Sequence, residues 1–220
     1  MTVYEQLIKR PITRGLRGSR LLITDPGSAT TVSGLFRTGT SWDAGEPWWN
    51  SRAVRYLSKC AQPGALAFEW GCGGSTVWLA RRGVATMSIE HDPEWAAKVV
   101  ARCPDADVRL IQGLTKGQLR SELQLPDRGT HFFDDYVVAI DDVQDESLDI
   151  VIVDGMCRVE CVRRGAQKVK PGGILIMDDT NFRFLSPAKE QLSGWRAVRF
   201  AGLKWRPLDV TETTFFHKPN

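Results

Sequence analysis

Two short runs carry the residue types and spacing that could do chemistry: Phe68-Glu69-Trp70-Gly71-Cys72-Gly73-Gly74-Ser75-Thr76 and Ser88-Ile89-Glu90-His91-Asp92. The glycine run ends a strand-like pattern and opens a helical one. Small residues at such a junction let the backbone approach a ligand at the carboxyl end of a strand. Glu69 stands two residues before the first glycine, where a carboxylate is costly to bury without a partner. A cationic group such as an α-ammonium would supply that partner, directly or through water. Glu90 ends the next apolar run, and an acid in that place can accept both hydroxyls of a ribose. Together they suit a ligand with an amino acid at one end and a ribose at the other. The dinucleotide pattern GxGxxG is not met, because Thr76 stands where its third glycine would fall.

A second acidic set lies further along. Asp149-Ile150-Val151-Ile152-Val153-Asp154-Gly155 is a buried-strand pattern ending in an acid, and Val169-Lys170-Pro171-Gly172-Gly173-Ile174-Leu175-Ile176-Met177-Asp178-Asp179 is another. In a parallel sheet Asp154, Asp178 and Asp179 emerge at one edge, where they repel each other unless a cation or protons intervene. A hard oxygen set suits Mg²⁺ or Ca²⁺ better than zinc. Arg158 follows closely and can serve only electrostatically, since arginine stays protonated at neutral pH. Asp154 is the first choice for a role at a reacting centre, as metal ligand or base. His131 and His91 are the remaining neutral-pH bases near site loops, and His131 is the second catalytic candidate.

The elements that must position these groups read as an α/β domain, a Rossmann-like parallel sheet with helices on both faces and a C-terminal antiparallel hairpin. Strand runs are Ala65–Trp70, Ala85–Glu90, Val108–Ile111, Leu148–Val153 and Gly173–Met177. Helical patterns fall at about Ser75–Arg82, Pro93–Arg102, Asp134–Asp141 and Arg158–Val169. Trp195–Gly202 and Thr211–His217 read as the hairpin. Residues 61–220 form the domain, and 1–60 form an extension that covers the site, with Glu46-Pro47-Trp48-Trp49 near the cofactor. The polar stretch Gly113–His131 reads as a lid.

On Glu69-x-Gly71-x-Gly73-Gly74, Glu90 and the Lys170-Pro171-Gly172-Gly173 turn, the chain resembles the class I S-adenosylmethionine-dependent methyltransferases over about residues 61–220. The resemblance implies their seven-stranded fold. It also implies that Glu69 and Gly71, Cys72, Gly73, Gly74 and Ser75 hold the methionine part of S-adenosylmethionine. Glu90 would take the ribose, with His91 beside the adenine and Asp154 facing the cofactor. Tyr136 is a candidate for the adenine wall, with a core position as the alternative. Asp154, Asp178 and Asp179 further resemble the metal set of cation-dependent O-methyltransferases, with Mg²⁺ as a second cofactor. The match is incomplete, because the lysine of the catechol enzymes is replaced here by Cys157. The alternative is that Asp154 orients cofactor or substrate while Asp178 and Asp179 cap the next segment. Methyl transfer to a small molecule, at a hydroxyl oxygen, is the expected reaction.

Bulk properties agree with a globular domain: 42% hydrophobic and 25% charged residues leave room for a core and a solvated surface. A formal net charge of +3 is too weak to imply nucleic acid, although Lys9, Arg10, Arg14, Arg17 and Arg20 make a basic arm. Five cysteines without a secretory signal indicate free thiols, and a cytoplasmic location is expected. No run approaches the roughly 18 apolar residues of a membrane span. A small-molecule substrate is the expected partner, without membrane or nucleic acid, and a homo-oligomer is left open. A nucleotide-dependent oxidoreductase and a non-catalytic S-adenosylmethionine-binding regulator are the competing readings. A nucleic-acid or protein methyltransferase is less suited, since the Asn/Asp-Pro-Pro-aromatic signature is absent after Asp154.

Overall fold

Successive side chains of a strand point to opposite faces, so the apolar runs divide between two cores, one on each side of a sheet. In the computed structural model, which describes residues 40–118, 123–127, 131–203 and 210–220, the central strands show this division. Phe68, Trp70, Val151, Val153, Leu175, Met177 and Phe216 enter one apolar cluster. Ala67, Ile150, Ile152, Ile174, Ile176 and Phe215 enter the other.

The main sheet has seven strands: β1 (Leu66–Trp70), β2 (Ala85–Glu90), β3 (Asp107–Leu110), β7 (Leu148–Val153), β8 (Val169–Met177), β9 (Arg196–Leu203) and β10 (Val210–His217). Their order is β3-β2-β1-β7-β8-β10-β9. β1, β2, β3, β7 and β8 run parallel. β10 pairs antiparallel with both β8 and β9, as the expected hairpin. Among the described residues the α-helices are α1 (Ser41–Ala44), α2 (Ser51–Cys60), α3 (Gly74–Ala80), α4 (Pro93–Arg102), α5 (Asp134–Val138), α6 (Arg158–Lys168) and α7 (Ser186–Gln191). Among the described residues no helix is long and apolar enough to cross a membrane.

The chain winds outward through β1, β2 and β3, then returns to place β7 on the other side of β1. The crevice of such a sheet opens where the winding reverses, at the carboxyl ends of β1 and β7. Gly71 and Asp154 are the first residues beyond those two ends. Gly71 has φ 93°. A Cβ on it would lie 3.0 Å from the Asp154 carbonyl and the Gly155 nitrogen, so both conformation and space demand glycine. A Cβ on Gly155 would collide with the Tyr136 hydroxyl.

One expectation about the strands is corrected, and two stretches take definite form. β8 starts at Val169 and carries the Lys170-Pro171-Gly172-Gly173 turn inside it, as a register irregularity against β7. The described parts of Gly113–His131 form a small sheet of β4 (Leu114–Thr115), β6 (His131–Phe132) and β5 (Pro126–Asp127). Residues 119–122 and 128–130 of that stretch, and the basic arm within 1–39, lie outside the described residues. Residues 40–60 are also more than a cover. Trp49, Ala53 and Leu57 are buried in the second cluster, and Asn50 donates to the Phe200 carbonyl at 2.8 Å.

Because the Gly155 collision involves one oxygen, Gly155→Ala should destabilise the protein by about 1–3 kcal/mol, the usual range for overpacking. Tyr136→Phe in the same chain should restore part of that loss. Urea denaturation of the two single variants and the double variant measures the coupling. Additive effects would refute the contact.

Candidate active site

The reversal crevice holds a cavity of about 470 Å³, a size suited to a small ligand. Gly71–Ser75, Glu90, His91, Asp92 and Asp154 line it, together with Trp48, Trp95, Arg158 and Asp179. Of the residues expected to hold the cofactor, Glu69 alone is missing from the wall.

Glu69 sits on β1 beside Ser88, its register partner on β2. It is fully buried. The hydroxyls of Thr76 and Ser88 donate to its Oε2 at 2.7 and 2.9 Å, and Ser75 donates to Oε1. Its carboxyl ties together β1, β2 and the start of α3 and does not line the cavity, which leaves the water-bridged form of the expected ammonium contact rather than the direct one. Burial pushes its pKa up, against the three hydroxyl bonds that pull it down, and nearby Glu90 adds to the rise.

Glu90 behaves oppositely. Its Oε1 accepts the His91 and Asp92 amides at 2.8 and 2.9 Å, and its Oε2 accepts the Cys72 amide at 3.1 Å. Burial alone would raise its pKa, but the His91 ring and the two following amides outweigh it and hold the carboxyl below its usual range. A carboxylate offers about four acceptor positions. Three amides leave capacity on Oε2 for a hydroxyl from the cavity, as a ribose acceptor requires.

Local sequence explains the rest of this wall. Asp92 caps α4 by accepting the Glu94 and Trp95 amides at 2.9 and 3.0 Å, and Pro93 starts the helix. That start carries Trp95 back over the glycine loop, where its indole donates to the Cys72 carbonyl at 2.7 Å. Sequence reading missed Trp95; the cap three residues earlier was the available signal. The opposite side is closed by the N-terminal segment, whose Glu46 backbone presses so closely on Gly74 that no Cβ would fit.

The acids after β7 and β8 do converge. Asp154, Asp178 and Asp179 each place a carboxylate oxygen within 4.8 Å of the others. Between them lies the Arg158 guanidinium, with its side chain 13% exposed. It donates to the Asp154 carboxylate at 3.1 Å and the Asp179 carboxylate at 3.2 Å. Its remaining bonds go to the main-chain carbonyls of Gly155, Asp178 and Asp154 at 3.0, 2.7 and 3.2 Å. The far oxygens of the acids also accept hydrogens: Asp154 from the Trp49 indole at 3.0 Å, Asp178 from Thr213 at 2.7 Å, Asp179 from Thr211 at 3.0 Å. A divalent ion needs oxygen lone pairs and no second cation within the cluster, so with Arg158 in this place the donor set does not fit Mg²⁺. Backbone strain gathers here, with Cys157 at φ 46° and Asp179 at φ 59°.

One further expectation is corrected, and for Tyr136 the core alternative holds. His131 is exposed on β6, paired with Thr115 and Asp127, and is not part of the cavity wall. Tyr136 is fully buried in the first cluster, edge-on to Phe133 and His91, and stands behind Gly155 rather than in the cavity. Cys157 and Cys161 are free thiols, and burial pushes the Cys157 thiol up to about 12.

No protein-family profile matches the sequence, and a search of curated proteins finds no match. Solved structures do match. An O-methyltransferase from Bacillus cereus in complex with S-adenosylhomocysteine gives a TM-score of 0.55 at 15% identity, covering 88% of this chain and 97% of its own. A methyltransferase-like protein from Silicibacter pomeroyi gives 0.53 at 23% identity, covering 80% and 89%. An S-adenosylmethionine-dependent O-methyltransferase from Thermotoga maritima gives 0.51 at 12% identity, covering 78% and 66%. The chain has the fold of the class I S-adenosylmethionine-dependent methyltransferases.

Glu69→Ala orphans three hydroxyl donors in a buried place and should lower stability by about 1–3 kcal/mol, whereas Glu69→Gln should stay close to wild type. A raised folded-state pKa contributes stability below the unfolded value, and that stability is lost as pH rises through the folded one. The glutamine variant should therefore gain on wild type as pH increases. Thermal melts of the three proteins from pH 5 to 8 measure this; equal losses in both variants at every pH would contradict it.

Proposed function

We propose that this chain is an S-adenosylmethionine-dependent methyltransferase acting on a small molecule, at a hydroxyl oxygen. The observation that carries the reading is Glu90, a buried carboxylate held at the cavity wall by three amides with acceptor capacity left over. Behind it, the glycine loop opens the floor at the point where the sheet reverses. The fold shared with an O-methyltransferase solved with S-adenosylhomocysteine supports the same ligand.

When bound, S-adenosylmethionine supplies an electrophilic methyl group on a sulfonium. The protein must align it, keep water out and take up the acceptor's proton. Glu90 accepts a ribose hydroxyl. Gly71 and Gly73 leave the main chain bare for close approach. Trp48 and Trp95 wall the cavity and reduce solvent access. Asp154 would take up the proton the acceptor hydroxyl loses, and S-adenosylhomocysteine would be the leaving group of the transfer. The Asp154 carboxylate is oriented for this by the Trp49 indole and by Arg158.

Isothermal titration with S-adenosylhomocysteine should give saturable binding. Glu90→Ala should weaken it at least tenfold, since one charge-assisted hydroxyl bond is worth roughly 1.5–3 kcal/mol. Saturation by NADH without response to S-adenosylhomocysteine would reject the reading. A panel of hydroxylated and aminated small molecules, followed by release of S-adenosylhomocysteine, tests the acceptor. Turnover of amines alone would reject the oxygen assignment.

A further inference from the structure

We propose that Arg158 is a built-in cation, holding for good the place that a divalent metal would take among Asp154, Asp178 and Asp179. The inference concerns the charge arrangement of the site named above, and its metal readout stands apart from the methyl-transfer reading.

The argument is one of donor counting. A guanidinium has five N–H donors in a rigid plane. Arg158 makes five hydrogen bonds, one from Nε, two from Nη1 and two from Nη2. Three of the five end on backbone carbonyls, which neither titrate nor rotate away. Those carbonyls belong to the exits of β7 and β8, so the guanidinium is fixed by the main chain at both strand tips. The two carboxylate bonds are added to that anchorage. A side chain that had merely drifted toward three acids would be held by the acids alone.

A divalent ion placed among the same acids would face this cation at close range, and like charges at such distances repel strongly in a partly buried site. To admit the ion, the guanidinium would have to leave three carbonyls without donors at a partly buried sheet edge. The acids are also oriented for hydrogen donors rather than a metal, as the bonds from Trp49, Thr211 and Thr213 show. The spacing itself is built in. Arg158 stands four residues after Asp154, at the first position of α6, so one short turn brings the cation back to the acid.

The test uses the full chain and Mn²⁺ as the probe, followed by electron paramagnetic resonance, with S-adenosylhomocysteine titrated separately. Wild type should show no saturable Mn²⁺ binding up to millimolar concentration, and EDTA should leave its affinity for S-adenosylhomocysteine unchanged. Arg158→Met should create a Mn²⁺ site at least tenfold tighter than any in wild type, and adding Asp179→Asn should remove it. Saturable Mn²⁺ binding by wild type that Asp179→Asn abolishes would overturn the proposal. A folded Arg158→Met protein that gains no Mn²⁺ site would overturn it too. Should that variant fail to fold, wild type against Asp179→Asn still decides. Failure of S-adenosylhomocysteine to bind any variant would count against the function reading and leave the Mn²⁺ result to judge Arg158.

Discussion

The contact between the Gly71 turn and the main chain of Asp154 and Gly155 is the constraint on which the site depends. Two parallel strands leave the sheet side by side, and their continuations must part for a ligand to enter. Here they part with a separation so small that a Cβ on Gly71 would sit 3.0 Å from the neighbouring backbone. That closeness places the glycine loop, Glu90 and Asp154 around one cavity. It also places Tyr136 directly behind Gly155, so the first apolar cluster props the cavity floor from below.

Charge is distributed unequally around that cavity. Glu69 is withdrawn from the cavity and acts on the loop through hydroxyl groups. Glu90 faces the cavity and is supported by amides. The two acids lie at corresponding ends of neighbouring strands, yet burial dominates one and hydrogen bonding the other, and their pKa values move in opposite directions. Across the cavity the negative charges of Asp154 and Asp179 face a cation from their own chain.

Much of this was legible in the sequence. Short apolar runs located β1, β2 and β7 closely, because β1 and β7 are buried on both faces and all three end in small or acidic residues. The loop Gly71–Ser75, Glu90, His91 and Asp154 were legible because their positions follow from strand ends alone. Other features were not, because they rest on long-range packing. Glu69 looked like a ligand contact, since nothing in a linear sequence shows that Ser75, Thr76 and Ser88 all turn toward it. His131 looked like a site base until a small sheet placed it outside. The short helix α1 lacks the length for a periodic signal, and its cap geometry becomes visible only in three dimensions. Arg158 was visible four residues after Asp154, but its three carbonyl partners were not.

The tie between Asn50 and Phe200 has a consequence for the order in which the molecule can be completed. The two residues are 150 positions apart, and Trp49 reaches Asp154 across 105. A chain emerging from the ribosome could assemble β1 to β3 early and hold residues 42–44 through Arg81 and Arg102, yet Trp49 and Asn50 gain these two partners only once β7 and β9 have been made. Such distant pairings are slow to form, because the intervening loop must be closed before the contact repays it. The part of the cavity wall that these two ties fix is thus completed after the strands whose ends frame it.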